Sequence, residues 1–588
     1  MLRTHTCGEL TKKNVSQSII LSGWVDTRRD HGGLMFIDLR DRYGLTQLVF
    51  DPTNKTTFLT AETLRREYVI KIDGTVRPRP EGMTNPKMYT GEIEVLVTKL
   101  EILNKAEVPP FEVDDRIIPS EDLRLKYRYL DLRRPSMQHN LLTRHKAAQA
   151  VREYLSSQSF LEIETPMFVK TTPGGARVFK VPSRVHPGKF YALPESPQLY
   201  KQLLMVAGCD RYFQLARCLR DEDLRQDRQP EFTQIDIEMS FIEEKDIFAL
   251  VEGLLSTTFK KAKDITIQTP FKRMTYAEAM TAYGSDKPDL RFGLQLKEVT
   301  EIMKKSNFSI FTNAINEKKV IYCLNAKQAG HFSRKDIDDL IDLGKTHHLP
   351  GVAWIKVGKN NVLESSIVKY FGEDVQKELI KTVHAEENDL LLFAADHFEK
   401  AVLGLGQLRL HLGHKLGLIK DGDLQFCWVT DFPLLEWSEE ENKWQAKHHI
   451  FTMPKEDCFD YLEKDPAKVL AKAYDVVLNG VELCGGSIRI HRKDIQTRVL
   501  KTIGLSYEEA EKKFDFLLQA FQFGCPPHGG IAIGFDRLVA LMLGFNDIRE
   551  AIAFPKNKSA ENPMDDSPQP WTDQFLKELH LKLDVVKK

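Results

Sequence analysis

The sequence predicts an α+β multidomain protein led by an OB-type β-barrel, and three observations carry that expectation. Residues 1 to about 105 hold five short strand-like runs, the number such a barrel needs. A charge-rich hairpin signal, RDEDLRQDRQPEFTQIDIEMSF from Arg220 to Phe241, is answered far downstream by a glycine-marked run and an apolar helix in HGGIAIGFDRLVALMLG, beginning at His528. Between them, from about residue 287 to 425, a mixed pattern such as KKVIYCLNA and DDLIDLGKTHH carries no recognisable chemistry.

The barrel runs are SIILSGWVD, LMFIDL, LTQLVF, EYVIKIDGTV and GEIEVLVTKLEIL. In the last, Ile93, Val95 and Val97 alternate with Glu92, Glu94 and Thr98, as a half-buried strand should. Barrels of this kind commonly bind single-stranded nucleic acid by stacking bases on aromatics beside basic side chains. Arg28, Arg29, Phe36 and Gln47 could serve that purpose. A purely structural barrel with surface arginines is the alternative. Pro109, Pro110 and Pro119 then interrupt regular structure in KAEVPPFEVDDRIIPSEDLR, which marks a linker. Past it, Ala147, Ala148, Val151, Tyr154 and Leu155 form a helical stripe expected in a core.

If two antiparallel strands flank a turn at Gln226 to Pro230, period-two alternation sets Arg220, Glu222, Phe232, Gln234 and Asp236 on one cleft. An arginine there can fork onto a phosphate, an aromatic face can stack an adenine, and a buried acid can receive an ammonium group. A solvated, salt-bridged hairpin is the alternative. Arg537 opens the later apolar helix, where the macrodipole disfavours a cation, so it needs an anionic partner. A nucleotide phosphate or a structural carboxylate would satisfy it.

Lys plus Arg number 83 against 84 for Asp plus Glu, so nucleic-acid affinity must come from local patches rather than net charge. The eight cysteines include no CxxC pair, which argues against a zinc site or disulfide framework and suits reduced thiols in the cytoplasm. The N-terminus MLRTHTCGEL lacks the apolar run of a secretory signal, and the charge-free stretch Phe516 to Phe535 is broken by Pro526, Pro527 and glycines, so no membrane association is expected.

Together the two chemical segments resemble motifs 2 and 3 of the class II aminoacyl-tRNA synthetases, and RDEDLRQDRQPEFTQIDIE is similar to the bacterial-type aspartyl-tRNA synthetases. FLEIETPMF, Phe160 to Phe168, resembles motif 1, whose Pro166 sits at a homodimer interface in the family. The blocks PSRVHPGKFYALPESPQLYKQLLM, YGSDKPDLR, HHIFT, NGVELCGGSIRIH and AIAFPKNKSA extend the likeness over nearly the whole chain. The resemblance implies an OB-fold anticodon-binding domain over 1–105 and a linker over 106–135. It implies an antiparallel-sheet catalytic domain with helices over 136–286 and 426–588, interrupted by an inserted α+β domain over 287–425.

The implied activity is aspartate–tRNA ligation, with ATP as substrate and Mg2+ as its metal. Within the family's pattern Arg220 holds the α-phosphate, Arg537 the γ-phosphate of a bent ATP, and Phe232 the adenine with Gln229 nearby. Asp221, Glu222, Gly534, Phe535 and Asp536 complete the implied nucleotide site, and Asp475 and Glu482 are the implied magnesium ligands. For aspartate the resemblance implies Gly174, Ser196, Gln198, Lys201, Gln234 and Asp236, joined by His448, His449 and Arg489 and sharing Arg220. Free aspartate presents one ammonium and two carboxylates, which calls for one acid and at least two cations, and the resemblance sets Ser196 and Asp236 near the ammonium and Lys201 and Arg489 on the side-chain carboxylate. Ile450 replaces the family's usual proline, and Gly174 and Val178 replace acids in TTPGGARVF, so Gly174 is only a positional match.

For tRNA the resemblance implies contacts at Arg28, Arg29, Phe36, Gln47, Arg77 and Arg79, with Glu222 and Arg225 at the acceptor end. His31 in RRDHGG and Gly82 in RPRPEGM match family members that charge tRNA(Asn) as well as tRNA(Asp). The misacylated product would then require a tRNA-dependent amidotransferase as partner. An asparaginyl or lysyl enzyme would not explain Lys201 and Arg489 together with the insertion. An ammonia-dependent asparagine synthetase would lack the barrel, and an inactive paralogue would be expected to lose Arg220, Glu482 or Arg537, all of which are present.

Overall fold

The computed structural model describes residues 2–171, 177–420 and 422–584, in two compact units. The smaller unit takes Met1–Leu141 together with Ala553–Asn557 and Glu561–Pro568. Its five strands, β1 (Ser18–His31), β2 (Leu34–Asp41), β3 (Gly44–Phe50), β4 (Val69–Pro78) and β5 (Ile93–Asn104), close into a barrel in the order β1-β2-β3-β5-β4. Ile19, Leu21 and Val25 of β1 point inward at every second residue onto Ile37, Leu48, Ile72 and Val95. All five expected strands are present. One detail of the alternation differs: Glu94 is buried, because Gln47 Nε2 donates to it at 2.9 Å and Arg77 Nε at 2.8 Å. A buried carboxylate with two such donors is satisfied without water.

The larger unit is built on an eight-stranded sheet. In order its strands are Lys272–Thr275, Phe426–Thr430, Ala473–Leu478, Val481–Ile488, His528–Gly534, Glu231–Ser240, Arg211–Leu219 and Leu161–Glu162. The six central strands pair antiparallel and the two edge strands join in parallel. The helix Glu244–Lys263 starts with a reciprocal Glu243/Asp246 capping arrangement and lays Ile247, Val251, Leu254, Leu255 and Phe259 into the core beneath this sheet.

The mixed segment folds as a second, five-stranded sheet in the order Leu296–Glu298, Val320–Ala326, Leu390–Asp396, Ala353–Val357 and Leu363–Glu364. It leaves the main sheet after Lys272–Thr275 and the helix Tyr276–Tyr283 and returns at Phe426–Thr430, which pairs directly with Lys272–Thr275. The apolar run LLLFAA is continuous because both faces are covered: Leu390, Leu392 and Ala394 enter one core and Leu391 and Phe393 the other. Among the described residues no helix is long and apolar enough to cross a membrane.

Candidate active site

The hairpin of the larger unit is wider than the sequence suggests. Its strands are Arg211–Leu219 and Glu231–Ser240, paired Leu219 to Glu231, so Arg220 through Pro230 form a long connecting loop instead of a tight turn at Gln226 to Pro230. Phe232, Gln234, Asp236 and Glu238 still share one face of the second strand. That face, the strand Val481–Ile488 and the strand His528–Gly534 floor a cavity of about 680 Å3 roofed by the loop. Arg220, Glu222, Gln229, Phe232 and Gln234 line it from one side, and Gln198, Lys201, His448 and His449 from another. Asp475, Glu482, Arg489, Gly534, Asp536 and Arg537 complete the wall.

At the floor, Lys201 Nζ lies 2.7 Å from Asp236 Oδ1 and 3.3 Å from Glu238 Oε2. Arg489 donates to Glu238 through Nε at 3.0 Å and Nη2 at 3.2 Å, and to Ser487 Oγ through Nη1 at 2.7 Å. Glu238 is therefore a buried anion shared by both cations, a role not foreseen from the sequence. Its signal was present: it follows Asp236 at period two in QIDIE. Gly530 opposite makes it possible, since a Cβ there would meet Glu238 Oε2 at 2.0 Å. Two acids now balance two cations, where charge matching to aspartate suggested one acid and two free cations. Lys201 spends its three donors on Asp236, Glu238 and the Ile237 carbonyl, whereas the Arg489 fork keeps hydrogens in reserve.

These contacts set the titration of the floor. Burial pushes the Asp236 carboxyl up despite Lys201, and its Oδ2 has no hydrogen-bond partner among the described residues. Glu238 goes the other way: burial opposes its charge, but Arg489 and Lys201 outweigh it and hold the carboxyl below the usual range. Burial, reinforced by Arg489 and Lys201, depresses His449 to about 3, so the imidazole is neutral at physiological pH. Burial also lowers His448, whose ring packs edge-on against Phe432.

At the phosphate end, the Arg220 guanidinium lies 5.0 Å from the Phe232 ring centroid, and its Nε has no partner among the described residues. Arg537 sits in the first turn of the helix Phe535–Leu543 and donates to the Glu482 carbonyl at 2.6 Å and to Asp227 Oδ2 at 3.1 Å, leaving Nε without a partner among the described residues. Asp227 is thus the anion that this helix start demanded of its arginine. Asp475 and Glu482 converge over Gly485, where a Cβ would meet Asp475 Oδ1 at 2.7 Å and Glu482 Oε1 at 3.8 Å. Burial, then repulsion from Glu482 and Asp286, drives the Asp475 carboxyl far above its usual range. An all-oxygen pair under that strain fits a hard divalent cation such as magnesium. Lys287 stands against it, its Nζ 3.2 Å from Glu482 Oε2.

Several expected residues fall elsewhere. Phe535 is packed in the hydrophobic core with Arg144 4.7 Å from its ring centroid, so it does not face the cavity. Asp536 touches the cavity, but its two oxygens are taken by Arg144 at 2.5 Å and the Thr233 amide at 2.6 Å, which makes it a brace between helix and strand. Asp221 lies off the wall, its amide bonded to the Arg177 carbonyl, while Arg225, expected at the tRNA acceptor end and not in the cavity, bridges Arg228 within the loop. Ser196 lines an adjoining cavity of about 440 Å3 that shares Gln198, His448 and His449 with the first. Gly174 lies outside the described residues.

On the barrel, Arg29, Phe36, Asp38 and Gln47 adjoin across β1, β2 and β3 through Cα partners Arg29–Phe36 and Asp38–Gln47. Polar groups there are already engaged: Arg29 with Asp38 at 2.8 Å, Gln47 and Arg77 with Glu94, and Arg79 with the Ile93 carbonyl at 3.1 Å. Arg28 donates to the Glu62 carbonyl at 2.5 Å. His31 ends β1 in the open, and Gly82 occupies a turn with nothing within 4 Å of where a Cβ would stand.

The geometry has counterparts in known proteins. Residues 120–558 match the family of class II tRNA synthetases (D, K and N), and residues 19–103 match the OB-fold nucleic acid binding domain. An aspartate–tRNA(Asp/Asn) ligase of Caldanaerobacter subterraneus is 52% identical over 584 residues, covering 99% of this chain and 98% of that protein. One of a Geobacillus species is 51% identical over 588 residues, covering 100% and 99%. In fold, the chain is similar to asparaginyl-tRNA synthetase of Pyrococcus horikoshii solved with asparaginyl-adenylate, at a TM-score of 0.58 and 20% identity over 94% of this chain and 98% of that one. With a family match over most of the chain and relatives at half identity across their full length, this protein belongs to the class II aminoacyl-tRNA synthetases of the D, K and N group.

Proposed function

We propose that the protein activates L-aspartate with ATP and transfers it to the 3′ end of tRNA(Asp) and tRNA(Asn). The observation that carries this reading is the Arg489 fork at the cavity floor, anchored on Glu238 and Ser487 with donors to spare for a second carboxylate. Asparagine offers a neutral amide there and would leave the fork underpaired. Asp236 Oδ2 and Gln198 Nε2, buried polar atoms with no partner among the described residues, supply an acceptor for the ammonium and a donor for the substrate.

In the first step an α-carboxylate oxygen of aspartate attacks the α-phosphorus of ATP, a P–O bond forms, and the bond to pyrophosphate breaks. No general base is needed, because the nucleophile is already an anion. The protein contributes alignment and neutralisation of developing charge. Arg220 meets the α-phosphate and Phe232 the adenine, while Arg537 exchanges Asp227 for the γ-phosphate. Asp475 and Glu482 would hold magnesium, which supplies neutralisation of phosphate charge. In the second step the terminal adenosine hydroxyl of tRNA attacks the carbonyl of the mixed anhydride and AMP leaves.

The barrel would present Phe36, Gln47, Arg28, Arg29, Arg77 and Arg79 to the anticodon, with Gln47 released from Glu94 to reach a base. His31 can both donate and accept and Gly82 adds no side chain, which suits acceptance of either C or U at the third anticodon base. The names of the relatives from Caldanaerobacter and Geobacillus point the same way. A homodimer accords with the exposure of Leu161, Met167 and Phe168 in the motif 1 segment, at 55%, 41% and 58%. Pyrophosphate exchange with aspartate, asparagine and lysine tests the reading: exchange should follow aspartate alone, and equal exchange with asparagine contradicts it.

A further inference from the structure

The carboxylate pair Asp475 and Glu482 is flanked by a cation that the protein carries itself. Lys287 reaches Glu482 Oε2 at 3.2 Å from the segment 284–294, which leads from the main sheet into the second sheet. Lysine is a flexible point charge, and a free segment would not hold one against a particular carboxylate. This segment is not free. Its first residue, Gly284, packs backbone to backbone on the helix Phe398–Lys415: a Cβ on Gly284 would meet the Val402 carbonyl oxygen at 2.0 Å, and one on Gly406 would meet the Gly284 carbonyl oxygen at 2.3 Å.

Its far end is gripped by one side chain. Arg409, on the same helix and 1% exposed, donates to the carbonyls of Asp289 at 2.8 Å, Phe292 at 2.9 Å, Gly293 at 2.9 Å and Leu294 at 3.1 Å. Its guanidinium is packed between the rings of Tyr283 and Phe292, at 4.9 and 4.1 Å from their centroids. The Asp289 carboxylate goes to Arg291, at 2.6 Å, so among the described residues the hydrogen bonds of the Arg409 guanidinium go to backbone carbonyls. A buried guanidinium spent on four carbonyls is costly unless it fixes that backbone. On its other side the segment abuts the turn before Glu482, where a Cβ on Gly480 would meet Asp289 Cβ at 3.2 Å.

We infer that Lys287 is a tethered cation that occupies the Asp475–Glu482 pair in the nucleotide-free protein and competes with a divalent metal for it, and that Arg409 of the second sheet's long helix is the residue that positions it. The inference rests on the reading of Asp475 and Glu482 as metal ligands. It gives the second sheet a task in the reaction: it holds a counter-charge on Glu482, beside Asp475, until the nucleotide arrives with its metal, and Lys287 then swings toward the phosphates that the same cavity receives.

The test is Mn2+ binding to the full-length protein without nucleotide, followed by electron paramagnetic resonance of the free ion. Lys287→Met should tighten Mn2+ binding by about fivefold or more, the order expected for removing one nearby unit charge at a partly solvated site. Arg409→Lys keeps the charge but loses the fork, so it should tighten Mn2+ in the same direction and add nothing in the Lys287→Met background. If Arg409→Lys does not fold, Arg291→Ala loosens the same segment through Asp289 and takes its place. Glu482→Gln separates the two claims. Mn2+ binding that ignores Glu482→Gln overturns both the metal reading and the tethered cation. Binding that needs Glu482 but is unchanged by Lys287→Met overturns the tethered cation alone, and additive effects of the two positions overturn the role of Arg409.

Discussion

Arg489 and Glu238 form a paired fork at the floor of the cavity, with Nε to Oε1 at 3.0 Å and Nη2 to Oε2 at 3.2 Å, between strands adjacent to His528–Gly534 on either side. The arginine's orientation is thereby fixed before any substrate enters, and pre-orientation of a charge is what lets it act without reorganisation cost. Glu238→Gln should therefore weaken aspartate activation at least 100-fold in kcat/KM and lower thermal stability as well, since stripping one partner from a buried ion pair costs about 3 to 5 kcal/mol. Kinetics within threefold of the parent protein would mean that Glu238 does not set the fork.

Removing the fork itself has a different expected signature. Arg489→Leu leaves Lys201 bound to Asp236 and Glu238 in a pocket not shaped for an amide. Aspartate use should collapse without efficient asparagine use appearing in its place. Steady-state adenylate formation with both amino acids checks this, and a variant that activates asparagine efficiently would show that another residue reads the side chain.

Arg220 stands over Phe232 and lines the cavity, its Nε without a partner among the described residues. Loss of one preorganised contact to a developing charge typically costs about 100- to 1,000-fold in rate. Arg220→Ala should lower aspartate-dependent pyrophosphate exchange by that order while the protein stays folded, as circular dichroism would report. Exchange within threefold of the parent rules the role out.

His449 gives a pH prediction with a defined sign. Its folded-state pKa is depressed from 6.5 to about 3, so between those values the unfolded chain holds a proton that the folded chain does not. The stability it contributes is complete above about 6.5 and is lost as pH falls toward 3. His449→Asn cannot titrate. The melting temperature of the parent relative to this variant should fall between pH 7.5 and pH 5, and a constant difference would contradict the buried neutral imidazole.

Much of this was legible in the sequence. The five barrel strands follow from alternation closed by turns, and Phe232, Gln234 and Asp236 lie in a strand where period two sets the face, whereas Lys201 comes from the helix Gln198–Val206 and Arg489 follows the strand Val481–Ile488. What escaped notice depends on partners distant in sequence. Glu238 follows Asp236 at period two, but its role emerges only when the structure sets Lys201 and Arg489 against it. Phe535 and Asp536 sit in a nucleotide-like string, yet the helix start turns the ring into the core and gives the carboxylate to Arg144 and Thr233. Arg409 lies in a segment whose pattern carries no recognisable chemistry, and only the packing of Gly284 on Gly406 and the four carbonyls around its guanidinium show why it is buried. The long loop 220–230 escaped too, because charged residues carry no periodicity that would locate strand ends.

The central claim is that this cavity and barrel together attach aspartate to tRNA, and that His31 and Gly82 leave the third anticodon base loosely read. Charging of purified, unmodified tRNA(Asp) and tRNA(Asn) with labelled aspartate tests it most directly. Both tRNAs should accept aspartate with efficiencies within about tenfold, since one base contact is worth about 1 to 3 kcal/mol and is weakened here. A preference above about a thousandfold for tRNA(Asp), beyond what one such contact supplies, would contradict the relaxed reading, and no aspartate on either tRNA would contradict the assignment itself.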